Sequence, residues 1–276
     1  IECHESICAW AREILLIAIE ESQNEGWNAL HAIVDSLWLS DIKARNSEER
    51  RQSIDRVIAR IEARVGVHID LEDEYDWIAF IPNRTNGVGA LTKYFGHGNQ
   101  GWKIRGIELR QHSTCTWIRN LQNDALEILR PNPSISAQRS VVSMLHERIA
   151  NLRRGDVPLQ DLITARRVNR SIEDSKVVNL TTSALLRARW LSREIPPGHR
   201  VRFAVIGKSR IDPIDRIRLD SEIESSSNII RGLNGDPEHY VPIALRSISA
   251  ILSAFGWDEH QVSSGVSRIP VLSDWC

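Results

Sequence analysis

Asp35 stands in the run ALHAIVDSLWL, residues 29–39, with apolar residues on both sides. A carboxylate in such company is costly to bury unless a metal, a partner or a hydrogen-bonding turn compensates it. Two readings follow: one ligand of a divalent metal, or an aspartate that bonds its own turn. The nearest acidic cluster is Asp70, Glu72, Asp73, Glu74 and Asp76. Read as a strand, it sets Glu72 on one face with Asp70 and Glu74. Mg²⁺ takes a few carboxylates and completes its shell with water and phosphate oxygens. The cluster is therefore candidate company for Asp35 at a metal, although a solvated edge strand accounts for it equally well.

A second set is Lys93, Tyr94, Arg105, Glu108 and Arg110, on strand-like stretches beside glycines. Cations and hydrogen-bond donors so placed suit a nucleic-acid backbone, and Tyr94 can stack or pack against a sugar. An exposed amphipathic sheet would show the same pattern. A third set is Arg153, Arg154, Arg166, Arg167, Arg170, Arg187, Arg189 and Arg193. These would bind phosphates without reading bases, because nothing here resembles a groove-reading helix. The nine histidines show no HExxH or paired metal spacing, and neither a nucleophile motif nor a Walker-type loop occurs.

Charge supports the phosphate reading. The net charge of −1 conceals an asymmetry: −9 over residues 1–80, +13 over 81–218 and −5 over 219–276. Of the 35 basic residues, 30 are arginine, the side chain that forks onto phosphate oxygens. Such a basic middle is an electrostatic footprint for nucleic acid, or else a set of solvated helix faces. With 42% hydrophobic and 26% charged residues over 276 positions, the chain is globular, not disordered or a coiled coil. No apolar run approaches a bilayer span, so a soluble protein is expected. Cys3, Cys8, Cys115 and Cys276 form no CxxC pair or zinc spacing, which suggests a reducing compartment. The chain opens on Ile1 inside a helical pattern and reads as the C-terminal part of something longer.

The elements that must position these residues come next. Residues 5–25 read as a buried helix stopped by Gly26, and residues 29–39 as two strands around Asp35–Ser36. Ser47 caps a helix that Gly66 ends. VHIDLE, DWIAFIP, ALTKYFG and WKIRGIEL then read as strands over residues 67–109. Helices follow at 114–130, 137–153 and 181–194, a strand at 200–206, and a last helix with Asp236 as cap, Pro237 at its first position and Gly256 as stop. An α/β portion, residues 1–112, thus precedes a mostly helical one, residues 113–276.

In order, these segments resemble the C-terminal half of a family B DNA polymerase, most like an archaeal one. Helix 5–25 and LHAIVDSLWL are similar to the palm helix and the third polymerase motif, a YGDTDS turn. LTKY (residues 91–94) and RGIE (residues 105–108) resemble the KKRY-like element and the RGxE segment. RGDVPLQDLITARRVNRSIEDSKVV resembles the thumb segment with its DLxITK core, and RVRFAVI and PEHYVPIALRSISAILSAFGW its later strand and closing helix. Asp35 falls on the motif's second aspartate, a holder of the catalytic metals, and Glu72 roughly on a nearby family carboxylate, so the resemblance implies these two as the metal ligands. Ile33 and Val34 replace the first aspartate and the threonine, His31 and Ala32 the tyrosine and glycine, and Leu91 and Thr92 two basic positions of KKRY. These departures resemble the divergent, weakened or inactivated second archaeal group.

The resemblance implies an α/β (α+β) fold. An antiparallel palm sheet covered by helices would be followed by an α-rich thumb with a small β element, and a palm-sheet edge would lie exposed where strands from missing sequence belong. It implies template-directed nucleotidyl transfer from dNTPs on primer–template DNA. Mg²⁺ would be shared with an N-terminal polymerase part, and the protein would be cytoplasmic and nucleoid-associated. The alternative is a catalytically inactive, polymerase-derived DNA-binding scaffold.

Overall fold

The computed structural model describes residues 2–83, 85–225 and 233–265; Cys276 lies outside them. Helix α1 (Glu2–Asn24) leads into a hairpin of β1 (Trp27–Ile33) and β2 (Ser36–Asp41), with Val34 and Asp35 as its turn. Helix α2 (Ser47–Val65) follows. Ala18 of α1, Trp27 of β1, and Val57 and Ile61 of α2 form a buried cluster, on which Leu37 and Leu39 pack. Inside it the Trp27 indole N–H donates to Ser53 Oγ at 3.0 Å, so this buried donor is satisfied. The helices are also laced by charge: Arg56 and Arg60 reach Glu25 at 2.6 and 2.8 Å, and Arg64 reaches Glu21 at 2.6 Å.

Two expectations fail here for local reasons. The cap of α2 is Asn46, not Ser47: Asn46 Oδ1 accepts from the Glu49 N–H while Glu49 Oε2 accepts from the Asn46 N–H. This reciprocal pair fills both orphan sites. VHIDLE is not a strand, and residues 66–74 carry no ladder. Glu62 instead accepts from the Ile69 N–H at 2.9 Å, and the His68 ring bridges Glu62 and Asp70. Side chains have captured this segment, so Glu72 shares no strand face with Asp70 and Glu74.

A three-stranded antiparallel sheet follows, in the order β3 (Tyr75–Pro82), β4 (Gly89–Gly98), β5 (Gly101–Arg105). WKIRGIEL is therefore half strand. Gly106 turns the chain at φ 75° and a 3₁₀ turn spans Glu108–Arg110. Helices α3 (Thr116–Leu129) and α4 (Ile135–Arg154) come next. A second three-stranded antiparallel sheet has the order β6 (Thr164–Arg167), β7 (Arg200–Val205), β8 (Ile217–Leu219), with α5 (Leu180–Trp190) between β6 and β7 in sequence. Helices α6 (Asp220–Ser225), α7 (Pro237–Leu252) and α8 (Glu259–Ser264) complete the described chain. Strand β6 is too short and too rich in arginine for an alternation to show, and β8, which does alternate as Ile217, Arg218 and Leu219, is only three residues long.

The chain forms two compact units, Ile1–Trp77 with Gly98–Trp102, and Ile78–His97 with Lys103–Cys276. In the second, α3, α4 and α7 pack together through Leu121, Leu126, Leu129, Leu145, Leu152, Ile248 and Leu252, all buried. The fold is thus mixed α/β with three small antiparallel sheets, as the sequence led us to expect.

Candidate nucleic-acid interface

Asp35 occupies the exposed tip of the β1–β2 hairpin, so the premise of a buried carboxylate does not hold. It accepts a bond from Ser36 Oγ at 3.2 Å. The preceding Val34 is held at φ 52° and is 75% exposed. A two-residue turn with positive φ at its first position ordinarily takes glycine there, and a β-branched residue in that region is strained by about 1–3 kcal/mol. β1 also carries a bulge between Ala29 and His31, a device common beside functional turns.

The likeness to polymerases implies a divalent metal, and the donor set tests the fit. Among the described residues no three His, Cys, Asp or Glu side chains gather as a metal site. Glu72 lies in the irregular segment before β3 and offers its main-chain carbonyl to Gln100 Nε2 at 2.6 Å. The described residues of this chain therefore do not by themselves make a metal site.

In the second unit the LTKY and RGIE stretches meet. A side chain at Gly106 would run into the Thr92 carbonyl and the stem of Lys93, so the glycine lets the two backbones touch. Lys93 and Arg105 are exposed. Tyr94 is not: it is 1% exposed and its ring lies 5.7 Å from that of Phe80. The expectation that it meets a sugar is corrected, because its apolar ring supports the sheet from within. Glu108 is tied inward as well. Gln122 Nε2 donates to its carboxylate at 2.8 Å and to the Ser247 carbonyl at 3.0 Å, and Gln122 Oε1 accepts from the Leu109 N–H at 2.6 Å. Gln122, on the apolar stripe of α3, thus ties the Glu108 turn to α7, a link the sequence alone does not foretell. Beside it, Arg110, Arg119, Asn120 and Asn123 line a shallow groove of about 410 Å³.

The segments resembling a thumb are knit by one hydroxyl. Tyr240 Oη donates to the Leu162 carbonyl at 2.8 Å and accepts from the Val205 N–H at 2.9 Å. This joins DLITARR, RVRFAVI and PEHYVPIAL at a point where Leu162, Val205 and Tyr240 are all buried. Next to it, burial holds the His239 imidazole down to about 4; Asp236 opposes this, and the charges of Arg166, Lys208 and Arg246 reinforce it.

The arginines of the two units behave differently. In the first, Arg45, Arg50, Arg51, Arg56, Arg60 and Arg64 each pair with a carboxylate. In the second, Arg105, Arg110, Arg153, Arg166, Arg167 and Arg170 are exposed, and their side chains, like that of Lys93, make no hydrogen bond or ion pair among the described residues. Arg154 bonds Asp156 and Asn151, and Arg189 pairs with Glu173, but both stay at the surface. Arg187 is the exception and a correction. It is 6% exposed, forks onto Glu222 at 2.7 and 2.6 Å and donates to the Ile214 carbonyl at 3.0 Å, so it is a buried strut and no phosphate ligand. Its position two residues before Arg189 gave no hint of this.

No family model matches the chain. Archaeal proteins named DNA polymerase are similar to it throughout its length. It is 22% identical over 99% of its residues to "DNA polymerase" of Thermococcus kodakarensis, covering 16% of that protein. It is 23% identical over 98% to "DNA polymerase 2" of Aeropyrum pernix, covering 31%. Among solved structures, the family B DNA polymerase of Pyrobaculum calidifontis matches with a TM-score of 0.62 and 21% identity, over 91% of this chain and 29% of that one. The chain therefore spans about a third, or less, of the length of these relatives, and the structural likeness shows a shared fold. No helix among the described residues is long and apolar enough to cross a membrane.

Proposed function

We propose that this chain is the palm end (residues 1–112) and thumb (residues 113–276) of a family B-type DNA polymerase, and that it grips primer–template duplex through backbone phosphates. The observation that carries this is the contrast in arginine pairing: in the acidic unit every arginine but the exposed Arg12 pairs with a carboxylate, whereas the basic unit leaves a set of exposed guanidinium groups without acids among the described residues. Cations kept free in this way suit an external polyanion. The archaeal polymerase relatives and the shared fold support the same reading. Template-directed nucleotidyl transfer from dNTPs, with Mg²⁺, belongs in this reading to the assembly completed by an N-terminal polymerase part, to which Asp35 contributes one carboxylate. The setting would be the nucleoid.

A second reading, a polymerase-derived DNA-binding protein without catalysis, is favoured by Ile33 at the first motif position and by the lone Asp35. Asp35→Ala in the completed polymerase separates the two. Under the first reading it abolishes nucleotide incorporation and leaves duplex affinity unchanged; under the second, incorporation is absent before the substitution as well as after. A chain that fails to bind primer–template DNA at low salt contradicts both.

A further inference from the structure

The register of β6 and β7 sets Arg167 directly opposite Arg200. The adjoining Val168 N–H donates to the His199 carbonyl at 2.8 Å. Arg167 and Arg200 are therefore a non-hydrogen-bonded pair, the kind whose Cα atoms stand about 4.5 Å apart with side chains closest. Like charges so placed repel and weaken a strand pair. Both arginines are exposed, and among the described residues neither has an acidic partner. Alternation puts Arg202 and Ala204 on the same face as Arg200. Arg202 is held by Asp220 at 3.5 Å and Ala204 is wholly buried, so the face is closed toward β8 and open at the two unpaired guanidinium groups. On the opposite face Val201 and Phe203 are buried in the core, which fixes the strand and leaves the pair no way to turn inward.

We infer that Arg167 and Arg200 form a clamp for one backbone phosphate of duplex DNA. The inference rests on the proposed duplex-gripping role and adds Arg200 to it. One phosphodiester between the two forks accepts from both and replaces their mutual repulsion with attraction.

The test measures duplex affinity across a salt series, and thermal stability, for the 276-residue chain and the variants R200E and R167Q. Each variant is expected to bind about tenfold more weakly near 0.1 M salt, with the log–log salt slope reduced by about one contact. The melting temperature of R200E is expected not to fall, because the new carboxylate faces Arg167. A wild-type chain that binds DNA while both variants match it in affinity and slope overturns the clamp and leaves the duplex role standing. A wild-type chain that does not bind overturns that role, and the clamp with it. Should R200E not fold, R167Q decides by the same criterion. Inorganic phosphate at matched ionic strength is the last arm: if it stabilises wild type but not R200E while duplex affinities are equal, the pair holds free phosphate and the backbone assignment is wrong.

Discussion

Single arginines in this chain look alike in sequence and do opposite things. Arg187 and Arg189 both belong to the last turn of α5, yet one is a buried strut on Glu222 and the other lies at the surface. Burial works against the Glu222 carboxylate, and the fork from Arg187 still holds it below the ordinary range. Removing one member of such a pair strands the other, so Arg187→Ala should cost about 3 kcal/mol in chemical denaturation. Replacing both members together, as in R187M with E222L, should recover most of that loss. Duplex affinity per folded molecule should stay unchanged, because Arg187 reaches no external phosphate. The sequence made the arginine excess legible and could not sort it, since burial depends on partners such as Glu222, 35 residues away. Asp35 was picked out correctly as a turn residue. Its exposure could not be read from the apolar neighbours, which alternate across a hairpin whose tip points to solvent.

At the level of elements, the long periodic segments were legible and the short polar ones were not. α2, α3, α4 and α7 follow their apolar spacing, and Gly66 and Gly256 end their helical segments in the left-handed conformation. α1 forms as a helix but is not the buried one expected, since Ile7, Trp10 and Leu16 are exposed and only its end near Ala18 packs. VHIDLE fails because Glu62 and His68 bond its backbone and side chains, a competition that strand patterns do not encode. β6 and β8 exist through pairing with β7, a tertiary effect. The α1–α2 pair makes a separate prediction from its charge lacing. Hydrogen bonds from Arg56 and Arg60 lower the Glu25 carboxyl from 4.5 to about 2. A depressed carboxyl contributes stability that is complete above its unfolded value and disappears as pH falls through its folded value. Stability should therefore decline between about pH 4.5 and pH 2, and Glu25→Gln should flatten that limb in urea titrations read at fixed pH values.

For the whole molecule, charge is divided between an acidic N-terminal portion that pairs its arginines, Arg12 excepted, and a basic middle that leaves a set of them unpaired among the described residues. That division was visible in the running charge; which cations are free became visible only once their partners were known. The claim that the free ones meet a polyanion is tested most directly by one titration. The affinity of the chain for a primer–template duplex is measured from about 50 to 200 mM salt, where each phosphate neutralised contributes a log–log slope of about −0.9. Several free arginines acting together should give a slope steeper than about −3. A slope shallower than about −1, or no binding at the lowest salt, would contradict the account.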